Sequence, residues 1–289
     1  MPSSFGLRPR MITMEPAPNP SPHPARLGVN RAGYRGERID AASLLKEIRF
    51  LANRHRFTEH VSSVGAHELV FLSRLGRPGP RCYLSAGIHG DEPAGLVALR
   101  DLIRDNAWPD DLNLGICPCL NPQGCELGTR ENAAGLDLNR DYRVPQSPEV
   151  RLHLEWLASL PPWDVSICLH EDWESHGFYL YELNPGNLPS LAGAILESVR
   201  TVCPIDHSPW IDGKESTAPG LIRPTIDPTQ RPDWPESFWL LQNGCPKGYT
   251  LEAPSDWPLP VRAKALQTAV QTAVQTAVQT AVQCPALLA

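Results

Sequence analysis

Two short segments carry side chains that could bind a metal ion. His89 and Glu92 form a His-x-x-Glu motif directly after an apolar run, and His170 ends a later apolar run. Two histidines and one carboxylate are a standard ligand set of catalytic zinc, and this set leaves one position open for water. The motif alone is weak evidence, since a single His-x-x-Glu pair is unremarkable in a chain with nine histidines.

Glu252 lies near the end of a third apolar segment. In open α/β sheets, ligands bind outside the carboxyl ends of the strands. If the three segments are neighbouring strands, Glu252 is expected to lie beside the two histidines. The alternative for each histidine taken alone is a capped structural residue at a strand end.

The elements that position these residues alternate between strands and helices. Short apolar runs predict strands at 69–72, 81–88, 112–119, 164–170, 177–183 and 247–253. Helical spacing of apolar residues predicts helices at 41–56, 94–105, 188–200 and 237–243. Ser147 followed by Pro148 predicts one more helix start, because Ser caps a helix and Pro fits its first turn. This alternation predicts an α/β fold, with a sheet between layers of helices.

The stretch between the two histidines adds an ordered set of polar motifs. In chain order the motifs are HGDE (89–92), NPQG (121–124), Arg130, GLDLNR (135–140), His170 and Glu252. This order resembles the zinc carboxypeptidase family, the M14 peptidases, over about residues 70–256. The resemblance implies a mixed, largely parallel central β-sheet sandwiched between helices, and an enzyme that hydrolyses an amide bond.

The resemblance also implies a metal site with one Zn²⁺ per chain. His89, Glu92 and His170 match the family's three ligands. Asp137 resembles the carboxylate that holds the far nitrogen of the first histidine ligand and so orients its ring. An Asx turn is the structural alternative for Asp137.

Four further residues match the family's substrate machinery. Arg130 resembles the arginine that polarises the scissile carbonyl. Asn139 and Arg140 resemble the pair that clamps the terminal carboxylate of the substrate, which suits the planar fork of an arginine. Glu252 resembles the general base that takes a proton from the zinc-activated water and returns it to the leaving amine. Solvated loop charges are the alternative for the two arginines.

Departures from the digestive carboxypeptidases leave the substrate open. Asp91 stands where their motif has Arg, and the spacing between His89 and His170 is short. These features resemble compact bacterial cytoplasmic members that border on the succinylglutamate desuccinylase/aspartoacylase group. The substrate is therefore expected to be a peptide with a free carboxylate. An N-acyl amino acid or a cell-wall peptide is the alternative, and a metal-free binding module is disfavoured because all ligands and the base are present.

Acidic residues near the site invite a role in side-chain recognition. Glu171, Asp172 and Glu174 could meet a basic substrate group, although a solvated loop is the favoured interpretation. The pocket for the leaving residue is expected within 204–245. Five acidic candidates there cannot be ranked from the sequence: Asp206, Asp212, Glu215, Asp227 and Asp233.

Composition excludes several protein classes. The formal net charge is −6, so the chain has no basic excess with which to bind nucleic acid. No apolar run approaches the roughly 18 residues of a membrane helix. Eight scattered cysteines without a secretory signal predict reduced thiols in a cytoplasmic protein. The oligomeric state is not predicted.

The two ends of the chain differ from its centre. Residues 1–28 contain alternating prolines and are expected to be a disordered tail. The catalytic domain is predicted over 29–266. The tail 267–289 repeats Gln-Thr-Ala-Val four times and is predicted to form a helix packed on the domain early and frayed late.

Overall fold

The computed structural model describes residues 37–283. Seven α-helices lie in this range: α1 (Ala41–Arg54), α2 (Pro93–Asp105), α3 (Pro122–Leu127), α4 (Pro148–Ala158), α5 (Ala192–Val199), α6 (Glu236–Gln242) and α7 (Leu259–Gln283). Short 3₁₀ helices cover Leu138–Arg140 and Pro228–Gln230. None of these helices is long and apolar enough to span a membrane. The predicted tail 1–28 lies outside the described residues.

Eight strands form one sheet in the order β1-β2-β4-β3-β5-β10-β6-β9. The strands are β1 (Thr58–Val64), β2 (His67–Arg74), β3 (Arg81–Ser85), β4 (Asn113–Cys117), β5 (Val165–Asp172), β6 (Tyr179–Leu183), β9 (Leu221–Ile222) and β10 (Gly248–Pro254). The two-residue strands β7 (Trp210–Ile211) and β8 (Lys214–Glu215) form a separate hairpin. β4, β3, β5 and β10 are mutually parallel. β1 and β2 pair antiparallel to their neighbours, and β6 pairs antiparallel to β10 and parallel to β9. The predicted mixed, largely parallel sheet is confirmed.

The helices cover both faces of the sheet. α1, α2, α5 and α7 share one apolar core with the sheet, and α4 and α6 share a second. Successive residues of β3 show the alternation, since Leu84 lies in the first core and Tyr83 in the second. The sheet is therefore buried on both sides at its centre, as expected for parallel strands.

Local capping explains where two helices begin. The Ser147 Oγ accepts from the Val150 N–H at 3.3 Å at the start of α4, and Pro148 occupies the first helical position. The Asp40 carboxylate accepts from the Ser43 N–H at 2.9 Å at the start of α1. Each cap satisfies a backbone donor that has no partner inside the helix.

The Gln-Thr-Ala-Val repeat continues the last helix instead of forming a separate element. α7 runs without a break to Gln283, and its alanines and valines pack against α2 and α5. Ala273 and Val274 are fully buried, and Ala277 and Ala281 remain buried one and two turns further on. The division of the chain at residue 266 stays a prediction, and it falls inside this helix.

Candidate active site

The carboxyl ends of three adjacent strands bring the predicted metal ligands together. His89 and Glu92 follow β3, His170 lies in β5, and β10 places Glu252 directly opposite His170 in the parallel register. Because β3, β5 and β10 are neighbours and parallel, their carboxyl ends meet at one edge of the sheet.

His89, Glu92 and His170 form a buried cluster whose ligand atoms all lie within 4.8 Å of one another. The Nδ1 atom of His89 is 2.5 Å from Glu92 Oε1, and the Nδ1 atom of His170 is 2.9 Å from Glu92 Oε2. Both imidazoles thus direct the same nitrogen at one carboxylate. Two imidazole nitrogens and a carboxylate converging on one point fit the donor set of a zinc ion.

Hydrogen bonds from outside the cluster orient these ligands. His89 Nε2 is 3.2 Å from Asp137 Oδ1, so the ring donates its Nε2–H to the Asp137 carboxylate and directs Nδ1 toward Glu92. The backbone N–H of Glu171 donates to Glu92 Oε2 at 3.1 Å. Such support of the far nitrogen is typical of metal-binding histidines, and it matches the role predicted for Asp137.

Gly90 allows the loop that carries the cluster to approach α3 closely. A Cβ atom at Gly90 would lie 1.9 Å from the carbonyl carbon of Gly124, at the start of that helix. No side chain fits this contact, so glycine is required within HGDE. The same packing holds NPQG against HGDE, which explains why the two motifs occur together.

The titratable groups of the cluster stabilise one another. Burial opposes the charged form of His89, but the carboxylates of Glu92 and Asp137 outweigh it and raise the His89 pKa to about 9. Burial would raise the pKa of Glu92, yet the two imidazoles hold it well below its usual range. Burial likewise disfavours the charge of Asp137, but the hydrogen bond from His89 and the Arg130 charge lower its pKa. The cluster is an ionic unit in which each carboxylate has a basic partner.

A cavity of about 510 Å³ opens above the cluster and is lined by most of the predicted site residues. Arg130 projects into this cavity beside the ligands. Its Nη1 lies 3.3 Å from His89 Nδ1 and 3.6 Å from Glu92 Oε1, and its Nε donates to Asp137 Oδ2 at 3.1 Å. The guanidinium is therefore fixed where a carbonyl oxygen bound near the ligands would develop charge.

Asn139 and Arg140 lie on the wall of the same cavity. The Oδ1 atom of Asn139 accepts from the Glu236 N–H at 2.9 Å, which leaves its NH₂ group to face the cavity. The guanidinium of Arg140 donates to the carbonyl oxygen of Asn139 at 2.9 Å, and no carboxylate lies within 4 Å of it between residues 37 and 283. Both side chains have donors available for an anion.

Glu252 lines the cavity next to His170. In the described part of the chain its carboxylate has no hydrogen-bond partner. Burial raises the pKa of Glu252 well above its usual range, the imidazole of His170 opposes this, and the carboxylates of Glu92 and Asp172 reinforce it. A carboxylate with a raised pKa and no structural partner is suited to accept and return a proton.

The solvated-loop interpretation of the acidic segment is wrong for Glu171. Its side chain is fully buried on the opposite face of β5, where it forms an ion pair with Arg262 of α7. It also accepts from the Ala94 N–H at 2.6 Å. Asp172 lines the cavity and accepts from Tyr179 Oη at 3.0 Å, while Glu174 is exposed at the rim. The alternation of side chains along the strand turns the Glu171 carboxylate away from the site, while the backbone of Glu171 remains at the cavity.

Of the five acidic candidates for the leaving-residue pocket, the structure places Asp212 and Asp233 on the cavity wall. Asp212 accepts from the hydroxyl of Tyr181 and from Lys214 Nζ, the latter at 2.7 Å. Arg231 lies on the same wall with its guanidinium over the Phe238 ring, 4.9 Å from the centroid.

Tyr181, Lys214 and Arg231 also line the cavity, and no sequence motif marks them as site residues. An Asp-Gly dipeptide at 212–213, with positive φ at both residues, is a recognisable hairpin turn. That signal predicts the hairpin itself. It does not predict that the tip faces the metal cluster.

Sequence comparisons match the part of the chain that carries most of the predicted site residues. A family model, the succinylglutamate desuccinylase/aspartoacylase catalytic domain, matches residues 78–156. This span holds every predicted site residue except His170 and Glu252. Murein peptide amidase A from Escherichia coli (strain K12) is 36% identical over 80 residues, which cover 28% of this chain and 33% of that protein. The match thus spans about one third of the length of that relative.

Solved structures share the fold over most of the chain. A candidate metallopeptidase from Shewanella denitrificans OS217 superposes with a TM-score of 0.74 at 22% identity, covering 83% of this chain and 91% of that chain. A metallo-carboxypeptidase from Pseudomonas aeruginosa, in complex with (2-guanidinoethylmercapto)succinic acid, gives a TM-score of 0.60 at 20% identity, covering 83% and 68%. The zinc carboxypeptidase-like fold is confirmed, as is the resemblance to the border between these enzymes and the desuccinylase/aspartoacylase group.

Proposed function

We propose that the chain is a zinc-dependent metallocarboxypeptidase that hydrolyses a C-terminal amide bond, with Glu252 as the general base. One observation carries the proposal: the clustered ligand atoms of His89, Glu92 and His170 lie at a cavity that also holds Glu252 and Arg130. A metal site, a base and a guanidinium at one cavity are the components of metal-assisted amide hydrolysis.

The metal would be held by the Nδ1 atoms of the two histidines and by the Glu92 carboxylate. Zinc bound to such a set supplies a Lewis acid and lowers the pKa of water. Glu252 takes a proton from the attacking water and delivers it to the leaving nitrogen. Arg130 donates to the carbonyl oxygen of the substrate as negative charge develops there.

The free carboxylate of the substrate would bind to Asn139 and Arg140. The proposal is supported by their available donors on the cavity wall and by the absence of a carboxylate partner for Arg140 within the described residues.

A second candidate is an N-acyl amino acid deacylase, and the match of the desuccinylase/aspartoacylase family model favours it. The match to murein peptide amidase A favours a cell-wall peptide amidase in the same way. All three activities cleave an amide beside a free carboxylate. They differ in the acyl side of the cleaved bond. It is a peptide for the carboxypeptidase, a short acyl group for the deacylase and a cell-wall peptide for the amidase.

A cytoplasmic location is part of the proposal. The seven cysteines in the described range are all unpaired and buried, which agrees with a reducing compartment.

The test measures zinc content and then kcat/KM on a panel. The panel contains N-acetylated dipeptides, their C-terminal amides, N-succinyl and N-acetyl amino acids, and a cell-wall tetrapeptide. The carboxypeptidase proposal expects free-acid dipeptides to be cleaved much faster than their amides. The Arg140→Ala variant is expected to lose rate on the free acid and little on the amide. Equal rates on acids and amides would overturn the carboxypeptidase assignment, and preference for N-acyl amino acids would establish the second candidate.

A further inference from the structure

A second buried carboxylate, Glu236, lies behind the cavity wall, next to Asn139. Glu236 is the first residue of α6, and its side chain is fully buried. Its Oε1 accepts from the hydroxyl of Tyr83 at 2.6 Å, and its Oε2 accepts from that of Ser85 at 2.8 Å. Among the described residues, the one basic group within 4 Å is His153, at 3.9 Å. Neutral hydroxyls from β3 therefore hold this carboxylate.

The directions of these hydrogen bonds follow from the chemistry of the carboxylate. Glu236 can only accept, so the Tyr83 hydroxyl donates to it. The Tyr83 oxygen is then the acceptor for His153 Nε2–H, at 2.8 Å. His153 Nδ1 in turn accepts from the hydroxyl of Tyr142, at 2.7 Å. A neutral His153 imidazole with its proton on Nε2 satisfies this whole series of hydrogen bonds. Burial favours the neutral form because it lowers the His153 pKa to about 4.

The backbone of Glu236, at the end of this hydrogen-bond network nearest the cavity, determines which way the Asn139 amide faces. The backbone N–H of Glu236 donates to Asn139 Oδ1 at 2.9 Å. This N–H donor excludes the flipped Asn139 amide, because the flipped NH₂ group would face the Glu236 N–H and both groups are donors. Asn139 is nearly buried, so few other groups compete for its oxygen. Its NH₂ group is consequently the part available to a ligand.

The Glu236 side chain fixes the place of that backbone N–H. It ties the first turn of α6 to Tyr83 and Ser85, on the central strand β3, and the two residues that follow Glu236, Ser237 and Phe238, line the cavity. Without the tie, α6 would be free to shift and the Asn139 amide free to turn its oxygen toward the substrate. A carbonyl oxygen facing a carboxylate is repulsive.

We propose that Glu236 is a positioning residue for the carboxylate subsite, acting through Asn139 and held in place by Tyr83 and Ser85. The proposal rests on the carboxylate clamp of the proposed function. It extends the site to a residue that touches neither the substrate nor the metal ligands.

The test compares free-acid and amidated N-acetyl dipeptides in Glu236→Gln and Tyr83→Phe. Both variants are expected to lose about 10-fold or more in kcat/KM on the free acid, mainly through KM, because a misdirected Asn139 removes a charge-assisted hydrogen bond. Rates on the amides are expected to stay within about two-fold. Zinc content is expected to remain at one per chain, which shows that the metal cluster is intact.

Tyr142→Phe is the matched control within the same network. Its hydroxyl contacts His153, two links away from Glu236, so the acid-to-amide ratio of this variant is expected to equal that of the wild type. Tyr83→Phe keeps the carboxylate, so it also serves if Glu236→Gln does not fold. A wild-type ratio in folded Glu236→Gln or Tyr83→Phe with full zinc would overturn the positioning role alone. No acid preference in the wild-type enzyme would overturn the clamp and the positioning role together.

Discussion

Two buried carboxylates on either side of β5 have opposite surroundings. Glu92 faces the imidazoles of His89 and His170 and borders the cavity. Glu171 faces the guanidinium of Arg262 and the Ala94 N–H in the layer between the sheet and the helices. Both carboxylates have basic partners, so burial does not distinguish them.

The difference lies in what the partners can do. An imidazole can lose its proton and offer a lone pair to a metal, so the cluster around Glu92 can exchange protons for a cation. A guanidinium keeps its proton at all ordinary pH values and has no lone pair to offer. The pair of Glu171 and Arg262 is therefore a structural tie. Its one link to the site is the Glu171 N–H, which holds the Glu92 carboxylate.

The most complete loss is expected when an imidazole is removed from the Glu92 side. His170→Ala takes away one of three ligands, and the zinc content should fall from one per chain to near zero after dialysis, as measured by mass spectrometry of the metal. Glu171→Gln changes the very next residue but on the other face of the strand, so it should retain zinc. One zinc per chain in His170→Ala would refute the ligand assignment.

A third carboxylate, Glu252, has no hydrogen-bonded imidazole or guanidinium among residues 37–283, and its loss should affect the rate without affecting the metal. Glu252→Gln is expected to lower kcat by about 10²–10⁴-fold, because an amide cannot accept the proton of water. Zinc content should be unchanged. Asp172→Asn, in the same cavity but bonded to Tyr179, is the control and should stay within a few-fold of the wild type. A near-native kcat in Glu252→Gln would place the base elsewhere.

Breaking the structural tie should lower stability and leave the chemistry in place. Arg262→Met leaves the buried Glu171 carboxylate without its cationic partner. Such a loss typically lowers the free energy of unfolding by about 3–5 kcal/mol. Glu171→Gln in the same chain removes that charge and keeps an acceptor for Ala94 N–H, so the double variant should recover most of the loss. Urea unfolding measures the free energy of unfolding of the single and the double variant. A loss below about 1 kcal/mol in Arg262→Met would show that the pair is not a tie.

The smallest effect concerns His153, which is buried among hydroxyls and aromatic rings and lies 3.9 Å from the Glu236 carboxylate. Its folded-state pKa of about 4 lies below the unfolded value of 6.5. Between these pH values the unfolded chain takes up a proton and the folded chain does not, so stability falls as the pH drops from 6.5 toward 4. The total is about 3 kcal/mol. In urea unfolding, the free energy of unfolding of His153→Gln should depend less steeply on pH between 4 and 6.5 than that of the wild type. The same change at exposed His207 should leave the wild-type pH dependence in place. Equal pH dependence in His153→Gln and the wild type would refute the role of His153.

Several elements were predictable because their signals are local. Ser147 and Pro148 start α4 as expected, since a cap acts over three or four residues. The strand-end placement of His89, His170 and Glu252 followed from apolar runs that end in polar residues. In contrast, β1 was missed: its mostly exposed residues carry little apolar patterning, and it forms because β2 offers a partner in antiparallel register.

The sequence alone contains the proposed metal ligands, arginine and base as residue types in a recognisable order, and its alternation of strands and helices predicts that they meet at one sheet edge. The roles of Glu171 and Glu236 cannot be predicted from residue types and their order in the sequence. Glu171 meets Arg262 across 91 residues and Glu236 meets Tyr83 across 153, so only the packing of α7 and α6 against the sheet creates those contacts. Local signals select elements within a few residues, whereas buried charges are partnered by whatever the folded layers place opposite them.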